Sequence, residues 1–128
     1  MSKCVLIVDD SPLIRNAMRA LLEAAGYRVC EANDGSKALE EAVASNHDLI
    51  VLDLVMPNMN GLQAAPLLRR SFPTVPIILF TMHSGAVTER QALAAGITCV
   101  MCKDGALTLV SRMSELLGKC GTANVATA

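Results

Sequence analysis

The sequence predicts an α/β fold, a doubly wound parallel sheet of five strands with helices on both faces. Five short apolar segments alternate along the chain with five segments in which apolar residues recur at helical spacing. This alternation is typical of parallel sheets. Residues 49–52 read Leu-Ile-Val-Leu, a continuous branched run that suits a central strand buried on both faces. A length of 128 residues fits one domain with an ordinary core.

Each element has its own local signal. The strands are short β-rich runs, predicted at residues 4–8, 27–31, 49–53, 75–81 and 97–102. The helices show apolar spacing of three and four residues, at about 12–25, 38–43, 61–71, 86–95 and 106–117.

Capping residues set the first helix boundaries. Ser11-Pro12 supplies an N-cap followed by proline at the first helical position, and Gly26 ends that helix. Asn60-Gly61 opens the third helix after the loop that begins at the end of the third strand.

Glycine and proline indicate the remaining turns and helix ends. Asp34-Gly35 indicates a turn, Gly96 ends the fourth helix, and Gly118 is expected to cap the last. Pro66 falls inside the third helix and lacks an N–H, so we expect a late start or a kink there.

Composition excludes several classes of protein. Apolar residues make up 52% of the chain, which argues against disorder, and the net charge of −1 argues against direct nucleic-acid binding. No apolar run is long enough to span a membrane. The five cysteines are odd in number and scattered, which favours reduced thiols and a cytoplasmic location. The Cys99/Cys102 pair lies within a predicted strand, where residues three apart face opposite sides, so a shared metal is not expected.

Polar residues follow four of the predicted strands. Asp9 and Asp10 come after the first, Asp53 ends the third, Thr81 ends the fourth and Lys103 follows the fifth. The carboxyl ends of parallel strands lie on one edge of the sheet, so these residues should converge there. Three acids, a hydroxyl and an ammonium on four strand ends indicate a functional site.

Such a set suits metal-assisted phosphoryl chemistry. Clustered carboxylates repel one another, and Mg²⁺, which prefers carboxylates, carbonyl oxygen and water, relieves that repulsion. One carboxylate can then attack a phosphoryl group, while a hydroxyl and a cation stabilise its other oxygens. Dinucleotide and Walker-type sites need glycine-rich turns that are absent, and a haloacid dehalogenase-type enzyme would carry a second acid where Val55 stands.

These residues resemble the receiver domain of bacterial two-component response regulators. The resemblance covers residues 3–118 and rests on Asp9-Asp10, on Asp53 with Pro57 and Gly61 following, on Thr81 and on Lys103. It implies a flavodoxin-like three-layer sandwich with strand order 2-1-3-4-5. The receiver domain would then span residues 1–118, with 119–128 as a tail or the start of a linker.

The resemblance also implies roles. Asp53 would be the phosphoacceptor, Asp10, Asp53 and the Val55 carbonyl would bind Mg²⁺ directly, and Asp9 would act through water. Thr81 and Lys103 would bind the phosphoryl group. We expect phosphoryl transfer in a phosphorelay to depend on these residues.

The expected partners follow from those roles. The phosphodonor would be a sensor histidine kinase or a histidine phosphotransfer protein, and the switched surface would engage an unidentified output partner. A phosphorylation-dependent dimer is an open alternative, and a membrane partner is not expected. The chain would not be a metabolic enzyme, although self-phosphorylation from phosphodonors and self-dephosphorylation are expected.

Some positions depart from the commonest receiver pattern. Met82 stands where alanine or glycine is common, Val100 replaces an aromatic residue, and Asp104 follows Lys103 in place of proline. With His83, Met82 and Val100 are candidate tuning residues. Thr81-Met82-His83 with Lys103-Asp104 resembles receivers of LuxR-type regulators, so a second hypothesis is the regulatory half of such a DNA-binding transcription factor.

Overall fold

The computed structural model describes residues 3–82, 84–103 and 106–121. The strands are β1 (Cys4–Val8), β2 (Arg28–Ala32), β3 (Leu49–Leu52), β4 (Ile77–Thr81) and β5 (Cys99–Cys102). The helices are α1 (Pro12–Ala24), α2 (Gly35–Ala44), α3 (Gly61–Ser71), α4 (Glu89–Ala95) and α5 (Ala106–Gly121), with a 3-10 turn over Ser84–Ala86.

The five strands form one sheet in the order β2-β1-β3-β4-β5, and every pairing is parallel. The predicted fold class and strand order are therefore confirmed. Because side chains alternate along a strand, each strand feeds two cores. Leu6 and Val8 pack on the side of α2, α3 and α4, whereas Val5 and Ile7 pack on the side of α1 and α5.

The helix N-termini are capped as the sequence indicates, with one addition. The Ser11 side chain accepts the Ile14 N–H, and Asn60 forms a reciprocal capping box with Gln63. Asp34, predicted in a turn, is the N-cap of α2 and accepts the Lys37 N–H. An Asp-Gly pair suits both roles, since a short carboxylate satisfies the first free N–H groups of a helix.

One helix prediction was wrong and another is decided only in part. Pro66 lies inside α3, which begins at Gly61, so the late start does not occur and the kink stays a prediction. Gly118 does not end α5, which continues to Gly121 and so enters the segment predicted as a tail. Glycine permits helix termination but does not enforce it, because it also adopts helical angles. The rest of that segment lies outside the described residues.

Arg69 connects three segments at the end of the sheet where the strands begin. From α3, its guanidinium donates to the carbonyl oxygens of Gly96 (2.7 Å), Phe72 (2.9 Å) and Val75 (2.6 Å). Burial lowers the pKa of Arg69. The side chain therefore ties α3 to the C-terminal end of α4, where Gly96 adopts a left-handed conformation (φ 87°).

Gly61 is required by a close approach between backbones. A Cβ there would clash with the carbonyl oxygen of Asp53 and lie 2.8 Å from Leu79 Cδ1. The Gly61 N–H donates to the Leu54 carbonyl at 2.8 Å, which holds the loop against α3. Glycine thus brings the start of α3 against the segment that carries Asp53.

We expect Gly61→Ala to lower the free energy of unfolding by about 1–3 kcal/mol, the usual cost of overpacking a fixed backbone. Gly85→Ala is the matched control, because no atom lies within 4 Å of a Cβ built at Gly85. Urea unfolding followed by circular dichroism measures both. Equal stabilities of the two variants would contradict the steric account.

Candidate functional site

The carboxyl edge of the sheet brings the predicted polar residues together. Asp9 follows β1 and is 2% exposed, Asp53 follows β3 and is 7% exposed, and Thr81 at the end of β4 is fully buried. Asp10 is exposed beside them. A cavity of about 210 Å³ opens at this edge, lined by Asp10, Asp53, Val55, Thr81, Met82 and Lys103.

Lys103 joins two of the three acids. Its ammonium lies 2.6 Å from Asp9 Oδ2 and 3.2 Å from Asp53 Oδ1. Its backbone N–H donates to the Thr81 carbonyl at 3.1 Å, which continues the pairing of β4 with β5. Burial alone would lower the pKa of Lys103, but the Asp9 hydrogen bond and the charges of Asp53 and Asp9 raise it overall. Lys103 is therefore a charged ammonium at neutral pH.

Asp53 has an environment that disfavours its charge. Burial raises the pKa of the Asp53 carboxyl, the Asp9 carboxylate raises it further, and Lys103 and the Leu54 N–H act in the opposite direction. The Leu54 N–H donates to Oδ1 at 2.9 Å. One oxygen of Asp53 thus receives both the amide and the ammonium.

Asp9 is held more tightly than Asp10. Its Oδ1 accepts the Ser11 N–H at 3.0 Å and its Oδ2 accepts Lys103. Its carbonyl accepts a 2.7 Å hydrogen bond from Arg15, which also contacts Glu31 at 2.9 Å. Sequence reasoning missed Arg15, because the α1 pattern was analysed for its apolar face. Its position four residues after the N-cap, one turn from the acid pair, was the available signal.

The donor set fits a hard divalent cation. One carboxylate oxygen from each of Asp9, Asp10 and Asp53 lies within 4.8 Å of the others. Clustered carboxylates of this kind favour Mg²⁺ or a similar cation over a soft one.

The tuning candidates have different surroundings. Met82 and Val55 are exposed beside the cavity, whereas Val100 is half-buried and packs on the core beneath α3 and α4. Val100 has no ring that could swing. His83 and Asp104 lie outside the described residues.

Comparison with known proteins agrees with this geometry. The profile of the family described as the response regulator receiver domain matches residues 5–114. The CAI-1 autoinducer sensor kinase/phosphatase CqsS of Vibrio cholerae serotype O1 is 44% identical over 73% of this chain and 14% of its own length. The response regulator MprA of Mycobacterium ulcerans is 39% identical over 91% of this chain and 51% of its own length. The chain thus spans about half, or less, of these curated relatives.

Two solved structures share the fold. The response regulator TrrA of Thermotoga maritima, in complex with Mg²⁺ and BeF, superimposes with a TM-score of 0.82 at 30% identity, covering 89% of this chain and 98% of that one. A LuxR-family two-component response regulator from Aurantimonas sp. SI85-9A1 gives 0.85 at 30% identity, covering 92% and 86%. The described residues contain no helix long and apolar enough to cross a bilayer.

Proposed function

Because the chain belongs to the response regulator receiver domain family, we propose that Asp53 is its phosphoacceptor and that Mg²⁺ bound beside it supports phosphoryl transfer. The family is a signalling one rather than a class of metabolic enzymes. The observation that carries the proposal is the position of the Asp53 carboxylate. It lies in the cavity at the end of β3, with one oxygen within 4.8 Å of a carboxylate oxygen of Asp9 and of Asp10.

The two oxygens of Asp53 have different tasks in this proposal. Oδ1 accepts the Leu54 N–H and faces Lys103, which fixes the carboxylate plane. We assign nucleophilic attack on phosphorus to Oδ2. As the new O–P bond forms, the P–N bond of a donor phosphohistidine breaks, and the imidazole nitrogen takes up a proton from solvent.

Asp10, Asp53 and the Val55 carbonyl would hold the metal, and Asp9 would act through water. Mg²⁺ held by these residues would supply positive charge to offset the carboxylates and the charge that develops on the phosphoryl oxygens. Thr81 and Lys103 lie on the same cavity and supply a hydroxyl and an ammonium for those oxygens. The donor would be a sensor histidine kinase or a histidine phosphotransfer protein, and self-dephosphorylation would reset the site.

The second hypothesis, the regulatory half of a LuxR-type transcription factor, is not favoured over the receiver function proposed above. The LuxR-family regulator and TrrA are equally identical to this chain, and their TM-scores differ by little. A single receiver function accounts for both likenesses.

The direct test is phosphorylation by a small phosphodonor such as acetyl phosphate, followed by intact mass. We expect one phosphoryl group per chain with Mg²⁺ and none when a chelator removes divalent cations. Equal labelling with and without Mg²⁺ would overturn the metal's role, and no labelling by this donor or by any histidine kinase of the host would overturn the function.

The two neighbouring acids should differ in their contribution to metal binding. Both oxygens of Asp9 already accept hydrogen bonds, whereas Asp10 is exposed at the cavity. We expect Asp10→Asn to weaken Mg²⁺ binding by about tenfold or more and Asp9→Asn to weaken it less, since loss of a direct ligand costs more than loss of an outer partner. Calorimetric titration of both variants measures the ranking, and equal affinities would contradict it.

Phosphorylation should change the conformation of α4 and of the segment that precedes it, and this change would carry the signal. Val100 has no aromatic ring that could change rotamer on activation. A hydrogen bond from Thr81 to the phosphoryl group must therefore shift the conformation of another element. We expect beryllofluoride with Mg²⁺ to change hydrogen exchange over residues 84–95. Protection changes confined to β5 would rule this route out.

A further inference from the structure

A second cluster of ligand-type side chains lies away from the Asp53 cavity. Cys4 is the first residue of β1, Cys30 lies in β2, and His47 precedes β3. One ligand atom from each lies within 4.8 Å of the others. Cys4 is 5% and His47 4% exposed, while Cys30 is half-buried on β2, the strand at the edge of the sheet.

Two of the three distances match the edges of a metal tetrahedron, and the third, between Cys30 and His47, is within 4.8 Å. Cys4 Sγ lies 3.8 Å from Cys30 Sγ and 3.5 Å from His47 Nδ1. With Zn–S of 2.3 Å and Zn–N near 2.05 Å, tetrahedral angles give S···S of about 3.8 Å and S···N of about 3.5 Å. Small adjustments of the side chains would therefore suffice to surround a cation of that size.

The second nitrogen of His47 has the support that metal-binding histidines usually have. Nε2 lies 3.3 Å from the Glu41 carbonyl and 3.5 Å from Ser45 Oγ. A carbonyl can only accept, so the proton sits on Nε2 and the Nδ1 lone pair faces Cys4. Phe72 packs edge-on against the ring at a centroid distance of 5.9 Å, which fixes its plane.

A disulfide is the competing use of the two thiols, and sheet register opposes it. Cys4 is paired with Arg28, and Cys30 is paired with Leu6, so the cysteines are diagonal neighbours. Strand spacing and rise place such Cα atoms about 8 Å apart. A disulfide needs Cα atoms closer than about 7 Å unless the backbone moves.

We propose that Cys4, Cys30 and His47 bind a thiophilic divalent cation of the Zn²⁺ type, with water in the fourth position at the open edge of β2. Binding releases two thiol protons to solvent and involves no redox change. The two thiolates, the neutral imidazole and the cation sum to zero charge, which suits a largely buried place. The bound cation would tie β1, β2 and the entry to β3 together at the end of the sheet opposite Asp53.

Cobalt titration tests the site, because thiolate-bound Co²⁺ shows a charge-transfer absorption that oxygen-bound Co²⁺ lacks. The protein is reduced, stripped with a chelator and titrated with Co²⁺ in excess Mg²⁺, which occupies the carboxylates at Asp53. A Cys120→Ser background removes one thiol, so that the titrated protein carries Cys4, Cys30, Cys99 and Cys102. We expect thiolate charge-transfer absorption that saturates at one equivalent and is displaced by Zn²⁺.

The variants separate a site from general thiol binding. Cys30→Ser should abolish the absorption, and His47→Gln should weaken affinity by about tenfold or more. Cys99→Ser, on a half-buried cysteine that packs in the α1 and α5 core, should leave it unchanged. Absorption that persists in Cys30→Ser, or no absorption in the parent protein, would overturn the proposal.

The rate of thiol alkylation is a second test, and it uses the parent protein, so it does not depend on whether a variant folds. Zn²⁺ should slow iodoacetamide modification of Cys30 and leave that of Cys99 unchanged. Equal protection of both, or a Cys4–Cys30 disulfide with a mass lower by two hydrogens and no metal uptake, would contradict the metal site.

Discussion

Asp53→Asn is expected to abolish acid-stable, base-labile phosphorylation of the chain. The substitution keeps the side-chain shape and an oxygen that can accept the Leu54 N–H, but it removes the nucleophilic carboxylate. The effect should be complete, because an amide oxygen cannot form the acyl phosphate at a useful rate. Labelling from a small phosphodonor or a histidine kinase, read by intact mass, measures it.

Asp34→Asn is the matched control for that experiment. Asp34 is the half-buried N-cap of α2, and asparagine caps about as well as aspartate, so labelling and stability of this variant should equal those of the parent. Undiminished labelling of Asp53→Asn, or a phosphoryl group mapped to Asp9 or Asp10 in the parent protein, would refute the assignment.

Lys103→Met should produce the largest loss of stability among the site variants. It leaves the Asp9 and Asp53 carboxylates buried without the ammonium that lies between them. Breaking a buried pair in this way costs about 3–5 kcal/mol, and we expect about 3 kcal/mol in metal-free protein at neutral pH. Urea unfolding in the presence of a chelator measures the free energy.

The loss of stability in Lys103→Met should depend on pH through the Asp53 carboxyl. Burial and Asp9 already raise the pKa of Asp53 above its ordinary value of 3.8, and loss of Lys103 raises it further. A carboxyl whose folded-state pKa is raised costs stability as pH rises through that pKa. The deficit should therefore shrink as pH falls through the raised pKa of Asp53 toward 3.8, and Mg²⁺ should also reduce it.

Lys37→Met is the control for charge loss alone. Lys37 lies 3.7 Å from Glu40, and both are exposed on α2, so its removal should change stability by no more than about 0.5 kcal/mol. Equal effects of the two lysine substitutions would show that Lys103 is not a buried counter-charge.

The carboxyl edge was predictable because parallel topology itself gathers strand ends. Asp9, Asp53, Thr81 and Lys103 each follow an apolar run, and the alternation of helices and strands requires those ends to meet. The sequence therefore predicted that Asp53, Thr81 and Lys103 would meet at one edge, where all three line the cavity, although it did not predict the Lys103 bridge between Asp9 and Asp53.

Strand starts were less predictable, because hydrophobicity does not reveal where an N–H bonds. Tyr27 and Ile97 were placed in strands, but their N–H groups donate to Leu22 and Ala92 and so close the preceding helices. Both residues are at least half-buried, which produced the misleading signal.

The cluster of Cys4, Cys30 and His47 was missed for a different reason. Its members come from two strands and the loop before a third, with no fixed spacing in sequence. Only the register of β1 with β2 brings the two thiols to the same face.

The hydrogen bonds of Arg69 set the kind of motion that α4 can make. The C-terminal end of α4 is fastened to α3 through Gly96, and a Cβ at Gly96 would lie 3.1 Å from Arg69 Cγ, so that end has little room to translate. The N-terminal end is held by the Thr88–Gln91 capping box, which is internal to the helix and its cap. A displacement that begins near Thr81 would therefore tilt α4 as a lever about a fulcrum at Gly96. The largest excursion would occur at Glu89 and the smallest at Ala95.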